Sequence, residues 1–137
     1  MIFSHVALNC KDPIAVEKFY TKYFGFTRGR VIPLGDSQLV FIKSGNVYLE
    51  LFSTNENGVT FDKDGNPAQG VRHFAFQVDD VDAKLAEMGE DARITLGPLD
   101  FGDFIPGWRT VWLSDPAGNI VEISQGYVDQ DNPPPLD

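Results

Sequence analysis

Cysteine is nearly absent from this chain. Cys10 stands alone among 137 residues, so no internal disulfide can form and nothing in the thiol content points to an oxidising compartment. Cations are also scarce. Eleven Lys and Arg face twenty Asp and Glu, a formal net charge of −9, and no basic cluster offsets it. Such a surface repels phosphate backbones, so nucleic acid is not an expected partner. Long apolar runs are missing as well, and the start, Met-Ile-Phe-Ser-His, has neither a basic region nor an extended apolar stretch. The expectation is a soluble cytoplasmic protein with no membrane partner. What is present is a globular balance, 42% hydrophobic and 23% charged, in a chain the size of one domain or two very small halves.

The pattern along the chain runs twice. Ile2–Cys10 reads as a strand with Phe3, His5, Ala7 and Asn9 on one face. Asp12-Pro13 then opens a helix that Gly25 ends. Strands are expected at 26–33, 37–43 and 47–53, joined by turn residues such as Ser44-Gly45-Asn46. Residues 54–69 are polar, rich in Gly, Asn and Asp, and read as a linker in which Phe61 is the single large apolar residue. The pattern restarts at Val71–Val78, with His73, Ala75 and Gln77 on one face. Asp79-Asp80 opens a short helix closed by Gly89, and strands follow near 92–96, 109–114 and 119–125. The last two are joined by the turn Asp115-Pro116-Ala117-Gly118-Asn119. Gly97–Trp108 reads as a loop, and residues 127–137, with three consecutive prolines, as an extended tail. The expected domain is therefore a first module at 1–53, a linker at 54–69 and a second module at 70–126.

Each half reads βαβββ, which predicts an α+β fold of two paired modules whose sheets make one curved, cup-like mixed sheet. Neither half is large enough to bury its sheet alone. The repeat extends to chemistry-bearing residues. His5-x-Ala-x-Asn and His73-x-Ala-x-Gln each reach an Asp seven residues beyond the His. Tyr48-Leu-Glu50-Leu-Phe52 parallels Ile120-Val-Glu122-Ile-Ser124. The His and Glu are 45 residues apart in the first half (5 to 50) and 49 in the second (73 to 122). The residues beside each His face, Ala with Asn9 or Gln77, are small and polar, suited to lining a cavity. Two buried unpaired carboxylates would each cost roughly several kcal/mol, a penalty that a divalent cation removes. Two neutral imidazoles and two carboxylates balance such an ion and do not select among Zn, Ni, Co, Mn and Fe(II). The bland alternative is a structural His and a solvent-facing Glu in each half. The recurrence of all four at matching positions favours metal.

These residues resemble the vicinal oxygen chelate superfamily of glyoxalase I, bleomycin-resistance proteins, extradiol dioxygenases and methylmalonyl-CoA epimerases. The carriers are His5 with Asp12, the helix end Phe19–Phe26, Tyr48–Phe52, His73–Phe76 and the turn Asp115–Asn119 leading to Glu122. The resemblance implies paired βαβββ modules, a homodimer, and one divalent metal held by His5, Glu50, His73 and Glu122. The His/Glu/His/Glu set is most similar to that of glyoxalase I, the lactoylglutathione lyase. It implies a lyase or isomerase that moves a proton between adjacent carbons of a small substrate with vicinal oxygens, through a metal-chelated enediolate. Glu122 is then the first choice of base and Glu50 its counterpart. The alternatives are a non-catalytic antibiotic-binding resistance protein and an Fe(II) extradiol-type dioxygenase. For the substrate, Arg109 and Trp108 are candidates, with Arg109 read more readily as a strand-end surface charge. Asn9, Gln77 and Phe104 complete the candidate lining. The 97–108 loop reads either as a lid or as a segment tucking its aromatics into the core. No secure glutathione-binding set is evident.

Overall fold

A computed structural model describes residues 1–136. The described residues form two compact units, Met1–Phe61 with Ser114–Asn119, and Asp62–Leu113 with the chain from Ile120 onward. The fold is α+β with paired modules and two open four-stranded sheets.

The first unit holds β1 (Val6–Cys10), α1 (Pro13–Phe24), β2 (Thr27–Leu34), β3 (Ser37–Ser44) and β4 (Val47–Ser53), in sheet order β1-β4-β3-β2. β1 runs parallel to β4, and β3 is antiparallel to both of its neighbours. Helix α1 starts where the Asp12 side chain accepts from the Ala15 amide at 3.0 Å, with Pro13 at the first position, where its missing N–H costs nothing. Gly25 ends it at φ 68°, a left-handed conformation that suits glycine. Alternation along the strands sends Leu8, Cys10, Val40, Ile42, Leu49 and Leu51 to one face. There they are buried together with Val16, Phe19, Tyr20 and Tyr23 of α1, which packs on β1 and β4. Each large apolar side chain so buried stabilises the fold by roughly 1.5–3 kcal/mol. The opposite face carries Ala7, Asn9, Phe41, Tyr48 and Glu50.

The turn Asp115–Asn119 belongs to this unit. Asp115 is buried, and its carboxylate accepts from the Ala117 and Asn119 amides (both 2.9 Å), the Asn119 side-chain amide (3.0 Å) and the Tyr20 hydroxyl (2.7 Å). The aspartate thus organises its own turn and fastens it to α1.

The second unit repeats the plan with β5 (Phe74–Gln77), α2 (Val81–Met88), a 3-10 turn (Gly89–Asp91), β6 (Ile94–Asp100), β7 (Arg109–Ser114) and β8 (Ile120–Gln125). The sheet order is β5-β8-β7-β6, with β5 parallel to β8. Asp80 caps α2 through the Ala83 amide at 2.9 Å. Val111, Leu113, Val121 and Ile123 are buried on the helix side, along with Val81 and Met88.

Three boundaries differ from the sequence expectation. β1 begins at Val6 rather than Ile2, because β4 starts only at Val47 and offers residues 1–3 no partner. β5 begins at Phe74 rather than Val71, since the Arg72 carbonyl is taken by the Asn66 amide outside any sheet. β6 continues through Gly97-Pro98 to Asp100, so the loop starts at Phe101. The register shift between Leu96 and Leu99 absorbs the glycine and proline that read as a break. Residues 126–136 form no helix or strand, and Asp137, the end of the expected tail, lies outside the described residues. No helix is long and apolar enough to cross a membrane.

Two stability outcomes follow from this packing. Asp115→Ala leaves the Tyr20 hydroxyl and two turn amides without their acceptor, and a loss of about 2–4 kcal/mol in urea unfolding is expected. In the alkaline range, burial first, then Asp115 and Asp12, push the Cys10 thiol up from its ordinary value to about 12, and burial raises the Tyr20 hydroxyl likewise. The folded chain therefore keeps protons that the unfolded chain sheds, and stability falls as pH rises from about 9 towards 12. Melting temperatures measured from pH 8 to 11 should show this fall, and Cys10→Ala should flatten it in part.

Candidate metal centre

The parallel pairing of first and last strand sets up the same geometry in both units. Ala7 lies opposite Glu50, and Ala75 opposite Glu122. His5 and His73 each precede their Ala by two residues, so His and Glu share a face. In the first unit His5 Nε2 lies 2.8 Å from Glu50 Oε2, and in the second His73 Nε2 lies 2.8 Å from Glu122 Oε2. The side chains are partly buried, Glu50 at 13% and Glu122 at 15% exposed. A carboxylate with so little water needs a proton donor or a cation beside it.

Each imidazole is oriented through its other nitrogen, but by different means. His5 Nδ1 lies 2.8 Å from the Ser4 hydroxyl, and its ring meets Phe41 edge-on at 5.4 Å. His73 Nδ1 lies 2.6 Å from the Asp64 carbonyl oxygen. A carbonyl only accepts, so Nδ1 of His73 carries the proton there. Nε2 then faces the Glu122 carboxylate, also an acceptor. The contact is satisfied either by a second ring proton or by a cation that takes the lone pairs of both. Glu122 is held further by Thr110, a buried residue whose hydroxyl donates to Oε1 at 2.6 Å. Glu50 has Phe41 at the neighbouring-strand position instead.

Asp64 and Thr110 were not among the residues expected from the sequence. Thr110 carries a weak signal, a polar residue alternating inward on a strand beside Glu122. Asp64 carries none, because its contribution is a backbone oxygen in the linker. That linker is held in place: the Asn66 amide bonds the Arg72 carbonyl, and the Asp64 carboxylate meets the Arg72 guanidinium at 3.1 Å. Gly65 passes so close to the Arg72 carbonyl that a Cβ there would sit 1.9 Å from the oxygen. Only glycine fits this crossing.

The other candidates divide. Trp108 Nε1 donates to Ser124, which shares a face with Glu122, and its ring meets Phe101 at a tilt of 44° with centroids 5.1 Å apart. Phe101 is half-buried while Phe104 is exposed, so the loop turns one aromatic in and one out. Asn9 and Gln77 are exposed on the His5 and His73 faces respectively. Arg109 is not brought to the His73–Glu122 pair. It alternates with Thr110 and reaches Asp82 of α2 at 3.0 Å on the helix side, the strand-end role. Trp112, facing as Thr110 does, meets the His73 ring edge-on at 6.2 Å.

The donors come in twos. Among the described residues no group of three or more His, Cys, Asp or Glu side chains is gathered as an ion site. The donor chemistry of each pair, one imidazole nitrogen and one carboxylate oxygen on a shared face with the ring oriented from behind, fits a borderline divalent ion.

A repeated βαβββ module with this His–Glu placement defines a class of fold before it defines an activity. The chain belongs to the Glyoxalase/Bleomycin resistance protein/Dioxygenase superfamily, whose family profile matches residues 2–123. Among solved structures it is similar to a glyoxalase family protein from Enterococcus faecalis, with 27% identity over 89% of this chain and 95% of that one, and a TM-score of 0.69. It is also similar to a lactoylglutathione lyase from Agrobacterium tumefaciens, with 30% identity over 90% and 92%, and a TM-score of 0.60. The fosfomycin resistance protein FosX from Listeria monocytogenes shares the fold, with 16% identity over 93% and 95% and a TM-score of 0.68. Curated proteins give no match.

The Thr110 bond can be tested directly. Thr110→Val keeps the shape and removes the hydroxyl, leaving Glu122 Oε1 without its donor. A loss of about 1–3 kcal/mol in thermal or urea unfolding is expected, and unchanged stability would show that water replaces the bond.

Proposed function

We propose that this protein is a metal-dependent lyase or isomerase of the glyoxalase type, acting by proton transfer on a small substrate with vicinal oxygens. The observation that carries the reading is the duplicated His–Glu pair, with Nε2 and Oε2 at the same 2.8 Å in both units. Structural histidines have no reason to recur with identical carboxylate partners, identical register and a back-side hydrogen bond each. The proposed ligand set is His5, Glu50, His73 and Glu122. A divalent ion there supplies Lewis-acid stabilisation of negative charge developing on vicinal oxygens.

The chain's own part is the movement of a proton. Glu122 is the proposed base: Thr110 fixes its Oε1, which leaves Oε2 as the oxygen free to exchange partners. It would take the proton from a carbon next to a carbonyl and return it to the neighbouring carbon, so that no redox partner is consumed. Glu50 is its counterpart, held by His5 with no hydroxyl behind it. Small-molecule binding and dimer formation are common in the superfamily, and a homodimer is part of this proposal. The likeness to the Agrobacterium lyase supports starting with methylglyoxal and glutathione.

A second reading has one observation in its favour: the four donors stand as two pairs and not as a cluster of three or more. A non-catalytic binding protein would use them as polar lining. Elemental analysis of protein purified without chelator or nickel resin separates the two. About one divalent ion per chain, lost in Glu122→Gln, supports the ligand set. An empty protein after reconstitution with Ni, Zn, Mn and Fe(II) would make the binding protein the better account. Thioester absorbance with methylglyoxal and glutathione then tests the chemistry, and no turnover with any loaded metal would end the glyoxalase form while leaving the metal site standing.

A further inference from the structure

The open face of the first unit's sheet extends well beyond His5 and Glu50. Following the register across it, Glu50 lies opposite Phe41 on β3, and Phe41 opposite Arg30 on β2. One row further, Tyr48 lies opposite Lys43. Residues directly opposite project to the same side of a sheet, so Glu50, Phe41 and Arg30 stand in line. Neighbouring strands are spaced about 4.8 Å apart, which puts the Arg30 backbone about 10 Å from that of Glu50.

Arg30 owes its place to a bulge. Arg28 and Arg30 are two residues apart and would share a face in a regular strand. The register shifts between them, at Gly29, and sends them to opposite sides. Arg28 lies opposite buried Ile42 and donates to Glu17 of α1, with Nη2 at 3.0 Å from Oε2. Arg30 lies opposite Phe41 on the other face. The chain therefore spends one arginine on its own helix and turns the next towards the His5–Glu50 side.

Two shallow hollows of about 470 Å3 and 400 Å3 lie on this face. The first includes Ser4, His5 and Asn46, the second Gly29, Arg30 and Lys43, and Phe41 and Tyr48 line both. Through these two shared rings the hollows adjoin, so that together they run as a groove from an imidazole, past two aromatic rings, to two cations. No carboxylate is among the described lining residues. Neither Arg30 nor Lys43 has an ion-pair partner among the described residues, in a chain with nearly twice as many acids as bases. Arginine and lysine left unpaired at the end of an aromatic groove attract an anion, and arginine binds carboxylate or phosphate through its paired N–H groups.

We infer that Arg30 and Lys43 form the anion-binding end of the substrate groove, and that the substrate carries a carboxylate or phosphate about 10 Å from its reacting oxygens, with an apolar portion lying over Phe41 and Tyr48. The inference rests on the proposed function for the position of the reacting end, and not for the anion subsite itself.

The test uses the whole protein with metal removed by EDTA, so that it does not depend on the ion. Amide shifts would be followed by NMR during titration with phenyl phosphate, with phenylacetate and with neutral benzyl alcohol. Expected are shifts at Arg30, Phe41, Lys43 and Tyr48 with at least one of the two anions and none with the alcohol. The Arg30→Gln/Lys43→Gln variant, changed only at exposed positions, should weaken binding at least tenfold, while Glu50→Gln should bind the anion as the wild type does. No shifts at those residues, or equal binding by the double variant, would overturn the subsite. Metal found in Glu50→Gln before the EDTA step would instead count against the ligand set and leave the subsite untouched.

Discussion

The arrangement of this protein depends on one pairing, made twice: the first strand of each module lies parallel to the last. That pairing closes the module, because it brings together residues some 45 positions apart across a helix and two strands. It also places the chemistry. A residue two before an alanine on β1 or β5 ends on the same face as the glutamate opposite that alanine. A shift of one residue in either register would turn each glutamate into the helix-packed core and break each pair. Register here is held by the buried face. Leu8, Leu49 and Leu51 in one unit, and Val121 and Ile123 in the other, are buried in this alignment and would be turned out of the core by a one-residue shift.

The two pairs have the same geometry and different supports. His73 is oriented by a main-chain carbonyl and Glu122 by a threonine. His5 is oriented by a serine hydroxyl, and Glu50 has an aromatic ring where its counterpart has a hydrogen bond. The second pair is thereby held on both sides, while the first opens onto a groove. On the proposed function, the second pair is the one set for position and the first the one that faces the rest of the substrate. The charges fit the same division. Arg28 and Arg109, the arginines next to the core, are spent on Glu17 and Asp82 of the helices, and Arg30 is kept for the open face.

Asp115 shows why a turn motif can look like a functional signature. Its side chain is buried and fully engaged by two amides of its own turn, an asparagine and Tyr20. Its four acceptor bonds explain why this turn needs an aspartate, and the Tyr20 bond ties that need to α1. Cys10, in the same region, is buried with its thiol pushed up, so it behaves as a small apolar residue and not as a nucleophile.

Much of this was legible in the sequence. The repeat announced two βαβββ modules, Asp12-Pro13 and Asp80 marked the helix starts, Gly25 and Gly89 the ends, and matching positions singled out His5, Glu50, His73 and Glu122. These are local or periodic signals, and the physics behind them, capping and alternation, acts within a few residues. Other features needed the tertiary structure. The Asp64 carbonyl behind His73 is a backbone atom and leaves no mark in the residue type. Arg109 stands next to Thr110 in the chain, and only the sheet's two faces decide which meets the helix and which meets Glu122. Arg28 and Arg30 are alike in sequence, and a one-residue bulge separates their fates. The sequence by itself determined which residues could form the modules and the pairs. The folded chain decided which neighbours orient them, because those neighbours are brought in by register, by a bulge and by a glycine crossing that no spacing rule encodes.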